Sequence, residues 1–453
     1  MLLLGALLLS ATRSEADEAP AAWRRQTGQL YTLDACLRLA KRNYPKVAEA
    51  RARVLQVQAQ LDEARFTPFS DFEATAGIGL APTVRGTNIY SRDTDRALSR
   101  NMGLGWQINI GGTIPIWTFG KITNLWEAAE AQVQVKEHEL KQAQNEVMLA
   151  VRQAYIGALF ARDVLILLKD AQERFSRALN QLEQAVEEDE ADIIELYKLK
   201  MYRAELTARE SEARKQERIA LAGLRFLTGV ERPLELPDEP QPRPTHRLAP
   251  LALYLSAARL YRPEVNMARA GVLAREAQLR IEEAKYFPNL GLTTNFSWVQ
   301  APEVTDQLNP FVRDPGNYLR FGFAFGLKWK LDFLPQTARR AQAAAKLEEM
   351  RATERYALGG VGVEVEKAYV EALDAQTRLD AYAEASDYAR RWLITVQQGL
   401  DIGAFEDQDL LTPAREYALR QFSEMNATYD YNVALSKLAL ATGWEAVVDY
   451  QSR

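Results

Sequence analysis

Cysteine and histidine, two residue types common in catalytic and metal-binding sites, are few in this chain, and their spacing suits neither task. The single cysteine, Cys36, has Leu33 and Ala40 at helical spacing, which predicts a buried core residue. The two histidines, His138 and His246, have no cysteine or aspartate in motif spacing and are predicted to lie on the surface. The sequence contains no Ser-His-Asp set, metal-ligand cluster or phosphate-binding loop. This pattern predicts that the chain is not an enzyme and uses no cofactor.

The mild net charge of the chain argues against one large class of partner. The 453 residues carry a net charge of −5, which offers no clustered basic surface for nucleic acid. At the N-terminus, a short apolar run precedes an A-x-A pattern at 19–21, which predicts a secretory signal peptide over 1–21. No later segment has about 18 consecutive apolar residues, so a membrane-inserted mature chain would not use helices.

The rest of the sequence consists of two similar halves. Matched residues, such as Val151 and Val365, are separated by 214 positions over a long stretch without a gap. Between the halves, the prolines of 232–250 exclude a helix or a central strand and predict an extended connector. The chain is therefore interpreted as a duplication, with a first repeat over 22–231 and a second over 251–453.

Four segments alternate between apolar residues and small or polar ones, which predicts strands with one apolar and one polar face. They cover 69–81, 101–116, 289–299 and 318–333. The strand residues predicted to face lipid are Leu104, Trp106, Ile108, Phe321, Phe323, Phe325 and Leu327. The strands reach the ~9–11 residues that cross a bilayer when tilted. The alternative is a soluble antiparallel sheet whose apolar face covers a core.

Four strands are too few to close a membrane barrel, because known barrels begin at about eight strands. An open sheet edge in lipid would leave backbone N–H and C=O groups unpaired, which costs too much free energy. If these strands lie in a membrane, several chains must therefore contribute to one barrel.

Long stretches without proline predict helices in both halves. The first half has a long helix over 121–187 and a shorter one over 193–228. The second half repeats them at 336–398 and 407–441. Apolar residues recur every seven positions along the first long helix, which indicates coiled-coil packing.

In this layout, the chain resembles the TolC family of outer-membrane efflux proteins across nearly the whole mature sequence. The motifs that carry the resemblance are Tyr31-Thr32-Leu33-Asp34-Ala35, Ile114-Pro115-Ile116-Trp117-Thr118-Phe119-Gly120, Ala154-Tyr155, Ala368-Tyr369, Leu227-Thr228-Gly229 and Ala441-Thr442-Gly443. The resemblance implies a mixed α and β fold, in which a long α-helical coiled-coil barrel is continuous with a transmembrane β-barrel. Each chain would supply four strands, and homotrimerisation would close the barrel.

The resemblance also implies a function and partners. The homotrimer would be the exit duct of a tripartite efflux or type I secretion system, passively conducting substrates from the periplasm to the exterior. It would lie in the outer-membrane lipid of a Gram-negative bacterium, with a periplasmic helical extension. Its partners would be a periplasmic adaptor (membrane fusion) protein and an inner-membrane pump. The alternative is a periplasmic coiled-coil scaffold or adaptor protein.

Acidic residues stand at the turns that join the long helices to the shorter ones. In the family such turns form the tips that meet the adaptor, and their acids can face the tunnel entrance. The resemblance assigns this entrance role to Asp189, Glu190, Asp192, Glu406, Asp407 and Asp409. The alternative is that these acids are solvated turn residues.

Overall fold

The structure is a computed structural model that describes residues 30–69, 71–85, 97–188, 192–304, 311, 313–314, 316–402, 404–405 and 407–445. Within these ranges, side chains are not described at 84, 85, 97–100, 185, 401, 407, 408 and 411. The predicted signal peptide, residues 1–21, lies outside the described residues.

In each half of the chain, two helices precede a pair of strands and two helices follow it. The helices are α1 Leu33–Asn43, α2 Pro45–Phe66, α3 Lys121–Glu187, α4 Ile193–Thr228, α5 Leu251–Tyr261, α6 Pro263–Ala284, α7 Phe333–Asp401 and α8 Leu411–Thr442. The strands are β1 Phe72–Arg85, β2 Ala97–Trp117, β3 Asn289–Gln300 and β4 Asn317–Lys328. Short 3₁₀ turns occupy Thr67–Phe69 and Asp407–Leu410. Within the described residues, no helix is both long and apolar enough to cross a membrane.

The chain forms two compact units. The helical unit combines the described residues of 1–41 with 150–242, and the sheet unit combines 42–149 with 243–453. Helix α3 contributes to both units, with its boundary between Leu149 and Ala150.

The helical unit contains the second part of α3 and all of α4. The Phe175 and Tyr202 rings meet edge to face at 6.3 Å, and the Gln172 amide donates to Glu210 at 2.9 Å. Cys36 is completely buried, as predicted, and burial raises the pKa of its thiol to about 12. These contacts give the unit an apolar interior with a few polar links between its helices.

The proline-rich stretch that follows α4 forms neither helix nor strand. Its part up to Pro242 belongs to the helical unit, where its backbone donates one hydrogen bond and accepts another. Gln241 donates its N–H to the buried Asp163 carboxylate at 2.9 Å, and the N–H of Tyr31 donates to Glu235 at 2.9 Å. Burial raises the pKa of Asp163, and the Gln241 hydrogen bond offsets part of this effect.

The core of the sheet unit lies among α5, α7 and α8. Tyr254, Val365 and Leu438 have almost no exposed surface and belong to one apolar cluster. Small residues dominate the cluster on α7, which lets the neighbouring helices approach closely. The cluster members on α7 and α8 are Val361, Val365, Ala368, Ala372, Ala375, Tyr431, Ala434, Leu435, Leu438, Ala439 and Ala441.

The last helix of each half ends in the same way. Gly229 follows α4 and Gly443 follows α8, with φ of 69° and 65°, in the left-handed region that favours glycine. Before each glycine, a buried threonine hydroxyl donates to the carbonyl four residues earlier, from Thr228 to Leu224 and from Thr442 to Leu438.

The predicted end of the fourth strand is wrong. Alternation of apolar residues continues to Phe333 in the sequence, but β4 ends at Lys328. Lys328 pairs with Asn289, the first residue of β3, so residues beyond 328 have no partner strand. Instead, α7 begins at Phe333, three residues earlier than predicted, because Pro335 is tolerated in the first turn of a helix.

Candidate functional site

The four strands form one antiparallel sheet in the order β1-β2-β3-β4. In the register of the sheet, Ile78 lies opposite Trp106, Ile108 opposite Trp298, and Phe296 opposite Phe321. Directly paired residues point to the same face. The apolar residues of all four strands therefore share one surface, here called the apolar face. Its members include Phe72, Ile78, Leu80, Leu104, Trp106, Ile108, Ile110, Leu290, Leu292, Phe296, Trp298, Leu319, Phe321, Phe323, Phe325 and Leu327.

Much of the apolar face is open to solvent in the single chain. Phe321, Phe323 and Phe325 are 72%, 71% and 84% exposed, and Leu327 is 60% exposed. On β2, Leu104 is also exposed, whereas Trp106 and Ile108 are half-buried. Trp106 is shielded by the Trp298 ring, which it meets edge to face at 4.2 Å. All seven residues predicted to face lipid thus lie on one face, and their contact with lipid stays a prediction.

The opposite surface of the sheet, here called the polar face, is lined by small and hydrogen-bonding side chains. The Ser297 hydroxyl donates to Asn109 at 2.6 Å, and the Thr113 and Thr293 hydroxyls are 3.3 Å apart. Among the strand residues with described side chains, three are charged, namely Glu73, Arg320 and Lys328, and all three alternate onto the polar face. The two faces of the sheet therefore differ sharply in polarity.

Aromatic residues gather where strands give way to helices. Phe119 stacks on Phe287 at 5.2 Å and meets Trp117 edge to face at 6.1 Å. Phe119 has a φ of 54°, unusual for a residue other than glycine, and Gly120 follows with a φ of 90°. These two residues make the sharp turn from β2 into α3. Aromatic residues at the ends of strands are typical of the interfacial girdles of membrane barrels.

Lys121 joins the junction between β2 and α3 to the junction between α6 and β3. Its ammonium group donates to the Phe287 carbonyl at 2.7 Å and to the Asn289 side chain at 2.6 Å. Burial, followed by the nearby positive charge of Lys285, lowers the pKa of Lys121. Sequence reasoning missed this residue, because its partners are more than 150 positions away along the chain.

The first acidic turn lies between α3 and α4 in the helical unit. Asp192 is the N-cap of α4, and its carboxylate accepts the N–H of Ile194 at 2.8 Å. This gives Asp192 a local structural role that the entrance assignment overlooked. Asp189 and Glu190 lie outside the described residues.

The second acidic turn lies between α7 and α8 in the sheet unit. Helix α7 continues to Asp401, so Gly399, predicted to begin the turn, lies inside the helix. A side chain at Gly399 would collide with the Phe405 ring, which explains the glycine. Asp409 is exposed in the 3₁₀ turn. Glu406 lies outside the described residues, as does the side chain of Asp407.

The surface prediction for the two histidines is wrong, because both are half-buried. His246 lies beside the apolar cluster, with its Nε2 atom 3.1 Å from the Tyr254 hydroxyl. Burial lowers the pKa of both imidazoles. Within the described part of the chain, no three His, Cys, Asp or Glu residues form a group that could hold a metal ion.

A four-stranded antiparallel sheet with one apolar face, combined with two very long helices, is also found in outer-membrane proteins of solved structure. The MtrE channel of Neisseria gonorrhoeae is 16% identical, with a TM-score of 0.73 over 93% of this chain and 91% of that one. The CmeC channel of Campylobacter jejuni is 18% identical, with a TM-score of 0.67 over 96% of this chain and 92% of that one. The VceC outer membrane protein of Vibrio cholerae is 16% identical, with a TM-score of 0.66 over 92% of this chain and 95% of that one.

The chain belongs to the outer membrane efflux protein family. The family model matches twice, at residues 36–230 and 254–444, which covers most of the sequence. No curated protein sequence matches it significantly. The resemblance to TolC-type channels is therefore confirmed, as is the mostly helical fold with four strands per chain.

Proposed function

We propose that this protein is the outer-membrane exit duct of a tripartite efflux or type I secretion system. It conducts substrates passively from the periplasm to the exterior and carries out no chemical reaction on them. The observation that carries this proposal is a sheet with an exposed apolar face and two unpaired edges.

The exposed apolar face indicates that the sheet lies in lipid rather than in water. Phenylalanine side chains on three alternate positions of β4 are more than two-thirds exposed. Contiguous apolar surface beyond a few hundred Å² is rare on soluble monomers and marks contact with protein or membrane. A periplasmic scaffold, the alternative from the sequence, would leave this face in water. In lipid, the free-energy cost of exposing these apolar side chains to water disappears.

The unpaired edges define the assembly. Within the described residues, β1 and β4 each pair on one side only. In a bilayer, these edges need partners, since hydrocarbon cannot satisfy backbone hydrogen bonds. If copies of the chain associate around an axis, β4 of one copy runs antiparallel to β1 of the next, and the sheet can close. A homotrimer would close a barrel of twelve strands.

Light scattering and planar-bilayer recording test the duct. The full-length protein is purified from membranes in detergent, its mass is measured, and it is added to a bilayer. We expect the mass of three chains and stepwise ionic conductance. A monomer that leaves the membrane fraction with carbonate and never conducts would exclude the duct and favour the scaffold.

The remaining parts of a tripartite system are an adaptor and an inner-membrane pump, which membership of the family supports. Affinity purification after crosslinking in the cell of origin tests them. We expect one membrane-fusion-type adaptor and one inner-membrane transporter to co-purify. A trimeric conducting protein that enriches neither would be a channel that works outside such a system.

A further inference from the structure

Among the strand residues with described side chains, the polar face of the sheet carries three charges, and they are unevenly distributed. Glu73 is the second residue of β1, and Lys328 is the last residue of β4. Both therefore lie at strand ends that connect to helices. Arg320 is the fourth residue of β4, near the opposite end of the strand, and eight residues from Lys328. At ~3.3 Å per residue, that separation is about 26 Å along the strand.

The guanidinium of Arg320 is held by an aromatic ring rather than by a carboxylate. It lies over the Tyr318 ring, 5.3 Å from the ring centroid. Across the strand pair, Arg320 faces Ser297, whose hydroxyl is engaged with Asn109. Among the described residues, no carboxylate forms an ion pair with Arg320, and the side chain is exposed. Its charge is thus directed into open space.

Lys328 has a different electrostatic setting once the sheet closes. Closure places β4 of one copy beside β1 of the next, running in opposite directions. The helix-proximal ends of the two strands then meet, which brings Glu73 of the next copy near Lys328. Opposite charges in this arrangement offset each other. In the same register, Arg320 would instead lie level with Ala81 of β1, which carries no charge.

We propose that Arg320 forms an anion-attracting ring in the barrel and biases this duct toward substrates with anionic groups, such as carboxylates, phosphates or sulfates. The inference rests on the proposed function, because it requires the polar face to line a pore. A guanidinium presents several donors in a fixed plane and suits such oxygens well. One arginine from each copy produces a ring of like charge, and the described residues paired in its row of the sheet, Ser297, Asn109 and Thr75, are uncharged.

Reversal potentials in planar bilayers test the ring. Wild-type protein and the Arg320→Gln, Arg320→Lys and Lys328→Gln variants are recorded under a KCl gradient at about 0.1 M. We expect the chloride-to-potassium permeability ratio to fall about two- to fivefold in Arg320→Gln. Arg320→Lys should stay near wild type because it keeps the charge. Lys328→Gln removes the same charge from the same strand and should change the ratio less.

Salt concentration and a thiol reporter give independent readouts. Screening acts over ~10 Å at 0.1 M salt and ~3 Å at 1 M, so the difference between wild type and Arg320→Gln should shrink at 1 M. Gly322 lies on the polar face two residues away, with open space around it. For a cysteine there, the ratio of the anionic to the cationic thiosulfonate rate should exceed the same ratio for a small free thiol, and Arg320→Gln should lower it. Cys36 is buried and gives little background.

The outcomes separate the two proposals. If the wild-type protein forms no conducting pore, the proposed function fails, and this inference fails with it. If pores form but Arg320→Gln and wild type have equal permeability ratios and equal reagent preferences, the ring alone is excluded. An equal effect of Lys328→Gln would also overturn the assignment, since the selectivity would then follow total charge rather than this position.

Discussion

The sheet and the two acidic helix turns differ in how strongly their residues determine a function. In the sheet, pairing brings the large apolar residues at alternate positions of four strands to one surface, so one residue supports the interpretation of the next. In the turns, each acid that the structure describes has its own local geometry. Asp192 caps a helix, and Asp409 lies exposed in a 3₁₀ turn. A periodic pattern therefore constrains function more tightly than a local accumulation of charge.

The largest expected effect tests the apolar face. Phe323→Lys places a charge in the middle of the exposed phenylalanines of β4, and a lysine at the midplane of a lipid-facing barrel surface costs ~2–4 kcal/mol. Because the penalty recurs in every copy, we expect no assembled channel in the membrane fraction. The amount of assembled channel is measured by membrane fractionation, followed by a mildly denaturing gel that preserves a heat-resistant oligomer.

The neighbouring residue provides a matched control. Ala324 is next in sequence, but it lies on the polar face opposite Thr293. Ala324→Lys introduces the same side chain into the same strand and should still assemble. If Ala324→Lys fails and Phe323→Lys assembles, the two faces have been assigned in reverse.

Alternation predicted these faces because a side-chain period of two is fixed by strand geometry and needs no tertiary information. The end of β4 was not predictable in this way. Its alternation runs on to Phe333, and only the position of Asn289 in β3 shows where pairing stops. Likewise, the burial of His246 depends on Tyr254 and on Tyr431, whose hydroxyl donates to the His246 carbonyl at 2.8 Å. Periodicity cannot reveal such contacts.

The Asp192 cap was predictable in principle. An aspartate directly before a helical run is an N-cap signal. In the sequence, this signal stands within an acidic run that the resemblance assigns to an entrance. The entrance role of these acids stays a prediction, whereas the Asp192 cap is observed.

A smaller effect tests the capping role. Asp192→Ala removes the acceptor of the Ile194 N–H and should lower the free energy of unfolding by ~1 kcal/mol. Asp192→Asn keeps an oxygen acceptor and should lose much less. Thermal unfolding of the detergent-solubilised protein, followed by circular dichroism, compares them. Equal stability of wild type and Asp192→Ala would show that the cap contributes nothing and would return Asp192 to the candidates for an entrance role.

The smallest expected effect tests the second turn. Asp407→Asn together with Asp409→Asn removes two negative charges per copy without removing hydrogen-bonding side chains. If these acids face a tunnel entrance, the cation preference at that end should fall by about twofold in bilayer recordings at low salt. Unchanged selectivity would assign both residues to a solvated turn. The direction of the change distinguishes the two regions. Removing these acids should raise the chloride-to-potassium permeability ratio, whereas Arg320→Gln should lower it. A double variant that cancels the two shifts would show that both regions act on one conducting path.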